Sequence, residues 1–501
     1  MPHRRFDRER SGFRSGNFMP LPFAPTAKKP KDQRYNMNRR DFLTSAARAF
    51  VVAGGGSAWA GSVFATETPP RLAMPPIIDT RASGKLAMTA EVGSSSFLGG
   101  PAVPTAGYNQ SYLGPTVIMQ NGPLAAEIGN TLDEPVSVHW HGMKVEGDHD
   151  GGPHQPVLPG TIWKPDMQVK QDPSTIWYHS HIHGRTAQQV YSGLAGVIHI
   201  TDGRDDDRGL PSAYGIDDLT LVLQDRSFDR NGRMVYEPSM MDRMHGFHGN
   251  RMLINGQSGA VAAVPNGIVR LRLLNGSNAR IYNLFFSDGR PLHLAATDGG
   301  YLPQLVALDV LQLAPGERAE ILVDFSGASA PVLMSDPNQA YGVLEFALDE
   351  TLSARITSLP DKIGDPLEEL VGLDTQTRKI SLDMGMGMMM GGGGFAINGQ
   401  PFDMDRIDLK VALGSVERWI IRSSMVAHPF HVHGVQFRVL SEDGLPPRAE
   451  NTGWKDTVFV PGETEILARF EHPANKENPF MFHCHILEHE DAGMMGQFTV
   501  S

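Results

Sequence analysis

The chain has 501 residues, 41% of them hydrophobic, with 54 glycines and 36 prolines, which suits about three loop-rich β-domains rather than a helix bundle. No apolar run reaches the ~18 residues a membrane-spanning helix needs. The net charge of −12 argues against a nucleic-acid partner and favours cationic ligands, and a single cysteine excludes an intrachain disulfide without bearing on export.

In chain order, residues 1–50 come first and carry 12 Lys/Arg against 4 Asp/Glu, leaving −20 on the body behind them. Asn38-Arg39-Arg40-Asp41-Phe42-Leu43 has the pattern of a twin-arginine signal, and residues 50–65 supply its moderately apolar stretch, ending in Val63-Phe64-Ala65 as a small-residue cleavage site. The expectation is a signal over 37–65, export of the folded chain by the twin-arginine machinery, and a periplasmic protein. Residues 1–36, ahead of Met37, are expected to be a disordered extension or the product of an overcalled start codon. A proline-rich lead-in at 69–76 precedes short apolar segments at 115–120, 124–128, 136–139, 162–169 and 196–200, separated by Gly, Pro, Asn and Asp turns. That spacing predicts a β-sandwich over 71–203. The charged stretch 202–209 marks a boundary. A second block, 213–350, has strand-like segments at 219–224, 269–273, 306–313 and 319–325. Its His245, His248 and His293 form no His-x-His pair and there is no cysteine, so it reads as a metal-free spacer. A polar connector over 351–378 holds Pro360 and Pro366, with room for a short helix, and the last domain runs over 379–501.

Histidines concentrate in four places: His139-Trp140-His141, His179-Ser180-His181, His428-Pro429-Phe430-His431-Val432-His433, and His483-Cys484-His485 with His489. Each holds a His-x-His, the spacing that puts two imidazoles on one face of an extended segment. If Cys484 lies on a strand, His483 and His485 point together away from its sulfur. A thiolate, an imidazole and a late thioether, here Met494, are ligands of a blue copper site. A zinc site needs only four ligands, and eleven nitrogen and sulfur donors are too many for one metal.

From about residue 71 onward the chain resembles the multicopper oxidases, and within them the bacterial copper-efflux oxidases. The resemblance rests on the four histidine motifs as an ordered set, on the run from Gly107 to Val117, on Gly453-Trp454-Lys455-Asp456-Thr457-Val458, and on the run from His483 to Met495. It implies an all-β fold of three consecutive cupredoxin-like Greek-key β-sandwich domains. It also implies four copper ions: one type 1 at His428, Cys484, His489 and axial Met494, one type 2 at His139 and His431, and two type 3 at His141, His179, His181, His433, His483 and His485. The implied activity takes electrons singly from a donor at the blue site and reduces dioxygen to water at the other three coppers. The same likeness leaves His183 out of the ligand set, so that it packs nearby.

Reducing dioxygen consumes protons, and two carboxylates match acidic positions of that family: Asp150, before Gly151-Gly152, and Glu490, directly after His489. Either can relay protons if it sits within hydrogen-bond reach. By spacing alone Asp150 also fits a turn former, while Glu488 and Asp491 read as surface charges.

Asp383-Met384-Gly385-Met386-Gly387-Met388-Met389-Met390, then four glycines, offers thioethers suited to cuprous ion, or a flexible linker whose methionines cover apolar surface. The resembled oxidases carry a longer insertion here, and an acid and a methionine just before the His-Pro-Phe-His motif. This chain has Ser424 and Val426 there, with only Met425 sulfur-bearing. The candidate substrate-copper residues are therefore Asp383, Met384, Met386, Met388, Met389, Met390 and Met425. A short loop is expected to leave the blue site open both to Cu(I) and to small or bulky phenols.

The leading expectation is a monomeric exported oxidase of Cu(I) or phenols, with a role in copper tolerance. The alternative enzyme is a laccase-like or bilirubin-oxidase-like phenol oxidase without that role. An inactive relative acting as an envelope scaffold would be expected to have lost ligands, and all twelve ligand positions are filled here.

Overall fold

The computed structural model describes residues 69–327, 331–384, 394–423 and 425–501. The expected extension and signal, Ser424, and Met386, Met388, Met389 and Met390 lie outside the described residues. The architecture is all-β, built from three successive pairs of facing sheets. Strand formation follows the two-residue period: in Lys85–Ser95, Leu86, Met88 and Ala90 are buried while Lys85 and Ala87 are exposed.

In the first pair, a sheet ordered Ile77–Asp79, Thr116–Met119, Ala195–Ile200, Ser174–His179 faces one ordered Val103–Tyr108, Lys85–Ser95, Gly122–Asn130, Ile162–Trp163. Leu86, Ile128, Val138, Ile176, Tyr178 and Ile198 belong to its core. The second pair is a seven-stranded and a five-stranded sheet around Leu221, Leu271, Phe286, Ile321 and Phe346. The third pairs a six-stranded sheet with a five-stranded one ordered Leu409–Val411, Met495–Val500, Phe480–Cys484, His428–Val432, Thr457–Val460. Ser174–His179, Phe480–Cys484 and His428–Val432, which carry three of the histidine motifs, are buried at every position. A strand buried along both faces has its own sandwich on one side and more protein on the other, so its histidines are held between sheets rather than on a surface.

Several expected segments differ. Residues 136–139 form no strand and make only isolated bridges, Val136 to Val157 and His139 to His179. Their neighbouring amides are satisfied elsewhere, Ser137 N by Ser180 Oγ and Trp140 N by the Asp150 carbonyl, which leaves no ladder to extend. The expected segment 306–313 is two strands, because the chain changes sheets: Gly300–Leu308 pairs with Leu292–Thr297, and Leu311–Leu313 with Tyr282–Phe286. Segment 162–169 breaks at Lys164-Pro165, where proline has no amide to donate. No helix lies within the connector; Tyr341–Ser353 runs into it as a strand and Gln376–Met384 emerges from it as the next. Among the described residues no helix is long and apolar enough to cross a membrane.

Candidate metal centre

Strand register sorts the last histidine motif onto two faces. His428–Val432 runs antiparallel to Phe480–Cys484 with His431 opposite His483 and Phe430 opposite Cys484. One face therefore carries His431 and His483, and the other carries the Cys484 sulfur into the apolar core with Phe430, Ile486 and Met494.

On the histidine face, eight buried imidazoles from the first and third sandwiches converge. His139 Nε2 lies 3.4 Å from His431 Nε2, and His483 Nε2 lies 3.2 Å from both His181 Nε2 and His433 Nε2. Their donor atoms form three groups, of which the first two share His141: His139, His141 and His431; His141, His179 and His485; His181, His433 and His483. A metal bound to two imidazoles at about 2.0–2.1 Å holds the nitrogens about 3.3 Å apart, so the spacings fit metal ions. His179 Nε2, His141 Nδ1 and both nitrogens of His485 are buried without a hydrogen-bond partner. Unpartnered buried nitrogens are costly unless an ion takes them up.

The outer nitrogens fix the tautomers. His139 Nδ1 donates to the Asp150 carbonyl at 3.0 Å, His431 Nδ1 to the Asp456 carbonyl at 2.8 Å, His179 Nδ1 to the Ser180 carbonyl at 2.9 Å, and His483 Nδ1 to the Cys484 carbonyl at 3.0 Å. A carbonyl accepts only, so each Nδ1 carries the proton and each Nε2 lone pair faces inward. His141 is reversed. Its Nε2 meets Thr457 Oγ1 at 2.9 Å and Asp456 Oδ1 at 3.1 Å, leaving Nδ1 for the cluster.

Asp150 and Glu490 flank this cluster. Asp150 Oδ2 accepts from His433 Nδ1 at 2.8 Å, while Oδ1 is buried without a partner. The residue is also a turn former: Gly151 has φ +77°, and a Cβ there would meet the Val138 carbonyl oxygen at 1.7 Å. Only glycine allows the approach that brings the Asp150 carbonyl onto His139. Glu490 Oε2 lies 3.2 Å from His483 Nδ1 and Oε1 3.4 Å from His181 Nδ1, with neither oxygen hydrogen-bonded.

Cys484 Sγ lies 3.4 Å from His428 Nδ1 and 3.7 Å from His489 Nδ1, and these two nitrogens are 3.2 Å apart. Met494 is buried in the same core; its carbonyl accepts from Cys484 N and its amide donates to the His489 carbonyl. Burial pushes the Cys484 thiol well up and lowers His428 to about 4. A metal is then what would hold the sulfur as thiolate.

Burial, then neighbouring charges, chiefly from other histidines, holds His141, His179, His181, His431, His433, His485 and His489 well below the ordinary imidazole value. In the copper-free chain the unfolded state thus binds more protons than the folded one once pH falls below about 6.5. Stability is expected to drop as pH falls from there through about 4, the folded value of His428. Thermal melts of the copper-free protein check this; a midpoint unchanged between pH 7 and 5 would contradict it.

Family models described as Multicopper oxidase match residues 374–501 and 89–205. Over 478 residues the chain is 37% identical to the cell division protein FtsP of Shigella dysenteriae, covering 91% of this chain and 98% of that one, and it matches the Escherichia coli protein of the same name equally. The chain belongs to the multicopper oxidase family. Among solved structures, a laccase-like multicopper oxidase CueO from Ochrobactrum sp., described as having oxidase activity towards lignin model compounds and lignosulfonate, is 42% identical with a TM-score of 0.82, covering 86% of this chain and all of that one. The McoA multicopper oxidase of Aquifex aeolicus is 31% identical with a TM-score of 0.77, covering 87% of this chain and all of that one.

In this multicopper oxidase the second block is more than a spacer. None of its histidines joins a metal group, yet Arg318 donates to Asp456 at 2.7 Å and so fixes the carboxylate that turns His141. Gly316, at φ +84°, abuts the His485 ring, where a Cβ would stand 2.8 Å from it. Sequence reasoning missed Asp456 and Arg318. Asp456 was visible inside the Gly453–Val458 run, but nothing local tied Arg318 to it.

The same block helps to close the Cys484 site. His489 Nε2 donates to the Met244 carbonyl at 3.2 Å, from the short helix Met240–His245. Phe395 stacks on the His489 ring at 4.3 Å. His428 and His489 are 1% and 0% exposed, against the expectation of an open edge. Cover comes from two blocks, the Met244 carbonyl of the second and the Phe395 ring of the third. His245 also contributes, after burial and His428, to holding His489 low, so it lies within electrostatic reach.

Of the substrate-copper candidates, Asp383 braces a hairpin by accepting from Ser381 Oγ and Gly399 N. Met384 pairs with Phe395 and packs against the third core. Met425 is 73% exposed, three residues before His428. His183 joins no metal group and meets the Phe402 ring. Glu488 and Asp491 are not surface charges. Their helix, Leu487–Asp491, packs against two others, so Glu488 accepts from Tyr236, Asn278 and Phe247 N, and Asp491 caps Thr186–Ser192 through the amides of Thr186 and Ala187.

Proposed function

We propose that this multicopper oxidase is an active enzyme that takes single electrons at the His428–Cys484–His489 site and reduces dioxygen to water between the first and third sandwiches, with Cu(I) as its donor. The observation that carries the reading is the tripeptide His483-Cys484-His485: its sulfur belongs to one donor group and its two imidazoles to others, so two metal sites share one covalent link. Copper bound in both would accept electrons one at a time and pass them to dioxygen; we assign one type 1, one type 2 and two type 3 ions. The protein's part is to hold imidazoles neutral and aimed, to exclude water from both sites, and to place Asp150 and Glu490 where protons are consumed. Export through the twin-arginine route to the periplasm and a part in copper tolerance complete the proposal.

Cu(I) is favoured over bulky phenols because the His489 ring is enclosed by Met244 and Phe395. Phenol oxidation remains the second reading, supported by the lignin-model activity of the Ochrobactrum relative. The name of the FtsP relatives suggests a division-associated scaffold, against which stands a full set of buried donors with neutral, inward-facing nitrogens. Oxygen uptake by the copper-loaded protein is the test, with Cu(I) and with a small phenol as separate donors. Uptake with Cu(I) exceeding that with phenol supports the proposal. Uptake with phenol alone transfers the assignment to the phenol oxidase reading, and no uptake with either overturns it.

A further inference from the structure

The helix Met240–His245 has three methionines and a histidine in six residues, and none of the six is buried. Met240 and Met241 are each 59% exposed. Large apolar side chains that are neither in a core nor under another element need a reason to be together. On a 3.6-residue turn, Met240, Met244, Met241 and His245 fall within an arc of about 140°, and Asp242 and Arg243 take the remaining face. The helix is short, but a reciprocal cap holds it in shape: Ser239 Oγ accepts from Asp242 N at 3.2 Å, and Asp242 Oδ2 accepts from Ser239 N at 2.8 Å. Its position is fixed as well, since the Met244 carbonyl accepts from His489 Nε2 at 3.2 Å. Four soft donors thus share one side of a rigid turn that is hydrogen-bonded to a blue-site ligand.

We propose that Met240, Met241, Met244 and His245 form a docking site for Cu(I) from which electrons enter the enzyme. The inference rests on the oxidase reading and replaces the acid and methionine that this chain lacks beside His428. Thioethers and imidazole suit a soft monovalent ion, and they discriminate against divalent cations that prefer oxygen. Each Cu(I) held there gives one electron through the Met244 carbonyl and the His489 ring, and leaves as Cu(II). Four such electrons and four protons convert one dioxygen into two waters at the histidine cluster. The site also explains why the enclosed His489 need not be a handicap: an ion small enough to sit on the helix requires no direct contact with the ring.

Silver(I), which binds like Cu(I) but is not oxidised, is the probe. The copper-loaded wild type is titrated with Ag(I) by calorimetry beside a Met240→Leu/Met241→Leu/Met244→Leu variant, with the run at 384–390 intact in both. Leucine keeps volume and helix propensity, and an unchanged visible band certifies the blue site. The more conservative Met240→Leu/Met241→Leu variant, altering only exposed side chains, guards against misfolding. The expected result is one fewer tightly bound Ag(I) in the triple variant, at least a tenfold weaker site in the double variant, and a KM for Cu(I) raised at least tenfold in both. Silver binding equal to that of the wild type in both variants overturns the inference. A wild type that binds this silver ion but consumes no oxygen with any donor would sink the oxidase reading while leaving the site itself standing.

Discussion

Replacing Cys484 with serine is expected to abolish the intense visible absorption of the copper-loaded protein and to remove one copper per chain, leaving the rest bound. The band requires a thiolate on copper, and Cys484 is the only cysteine. Its side chain is fully buried beside His428 and His489, whereas His483 keeps its place through backbone register and its Nδ1 hydrogen bond to the residue-484 carbonyl, and His485 through its amide, which donates to the Pro429 carbonyl; a serine disturbs none of these. Oxygen uptake should fall to background, because electrons then have no acceptor at the site nearest His489. Spectra and metal analysis of the variant decide this. A surviving band would mean that the colour arises elsewhere and that the assignment of the sulfur is wrong.

Asp150→Asn is expected to slow oxygen reduction by about 10²-fold or more, the usual scale for losing a positioned proton donor. Asparagine keeps the turn before Gly151, and its side-chain oxygen can still accept from His433 Nδ1, so the cluster should load with copper normally. What it lacks is a carboxyl proton to give. Stopped-flow measurement should therefore find the blue site reduced by donor at the wild-type rate and reoxidised by oxygen slowly. Unaltered reoxidation would reduce Asp150 to its role in the turn, and loss of copper would show that it mainly orients His139 and His433.

The parts legible in the sequence were those governed by local spacing. Four His-x-His pairs and a central cysteine marked the ligands because a two-residue period fixes faces, and Leu86, Met88 and Ala90 reported a half-buried strand for the same reason. Residues 136–139 misled because alternation predicts facing but not pairing: the Ser137 amide donates to Ser180 Oγ, and the next amide along, that of Trp140, to the Asp150 carbonyl. Long-range partners were invisible. Arg318 reaches Asp456 across 138 residues, and the Met244 carbonyl meets His489 across 245, with no local pattern to announce either. Glu488 and Asp491 looked solvated because charge runs usually are, yet packing of three short helices buries one and turns the other into a cap. The second block seemed inert because it has no His-x-His pair and no cysteine, although a backbone carbonyl, a glycine and an arginine from it reach the metal-site histidines or their partners.

Copper content is the most direct measurement of the central claim. Protein loaded with excess copper, desalted and assayed for metal and paramagnetic signal should hold about four coppers per chain. Two should be visible by electron paramagnetic resonance, one with the narrow hyperfine splitting of a copper–thiolate site, and two should be silent as a coupled pair. A chain that retains no more than one copper, or whose coppers all give independent signals, would contradict a shared cluster between the first and third sandwiches.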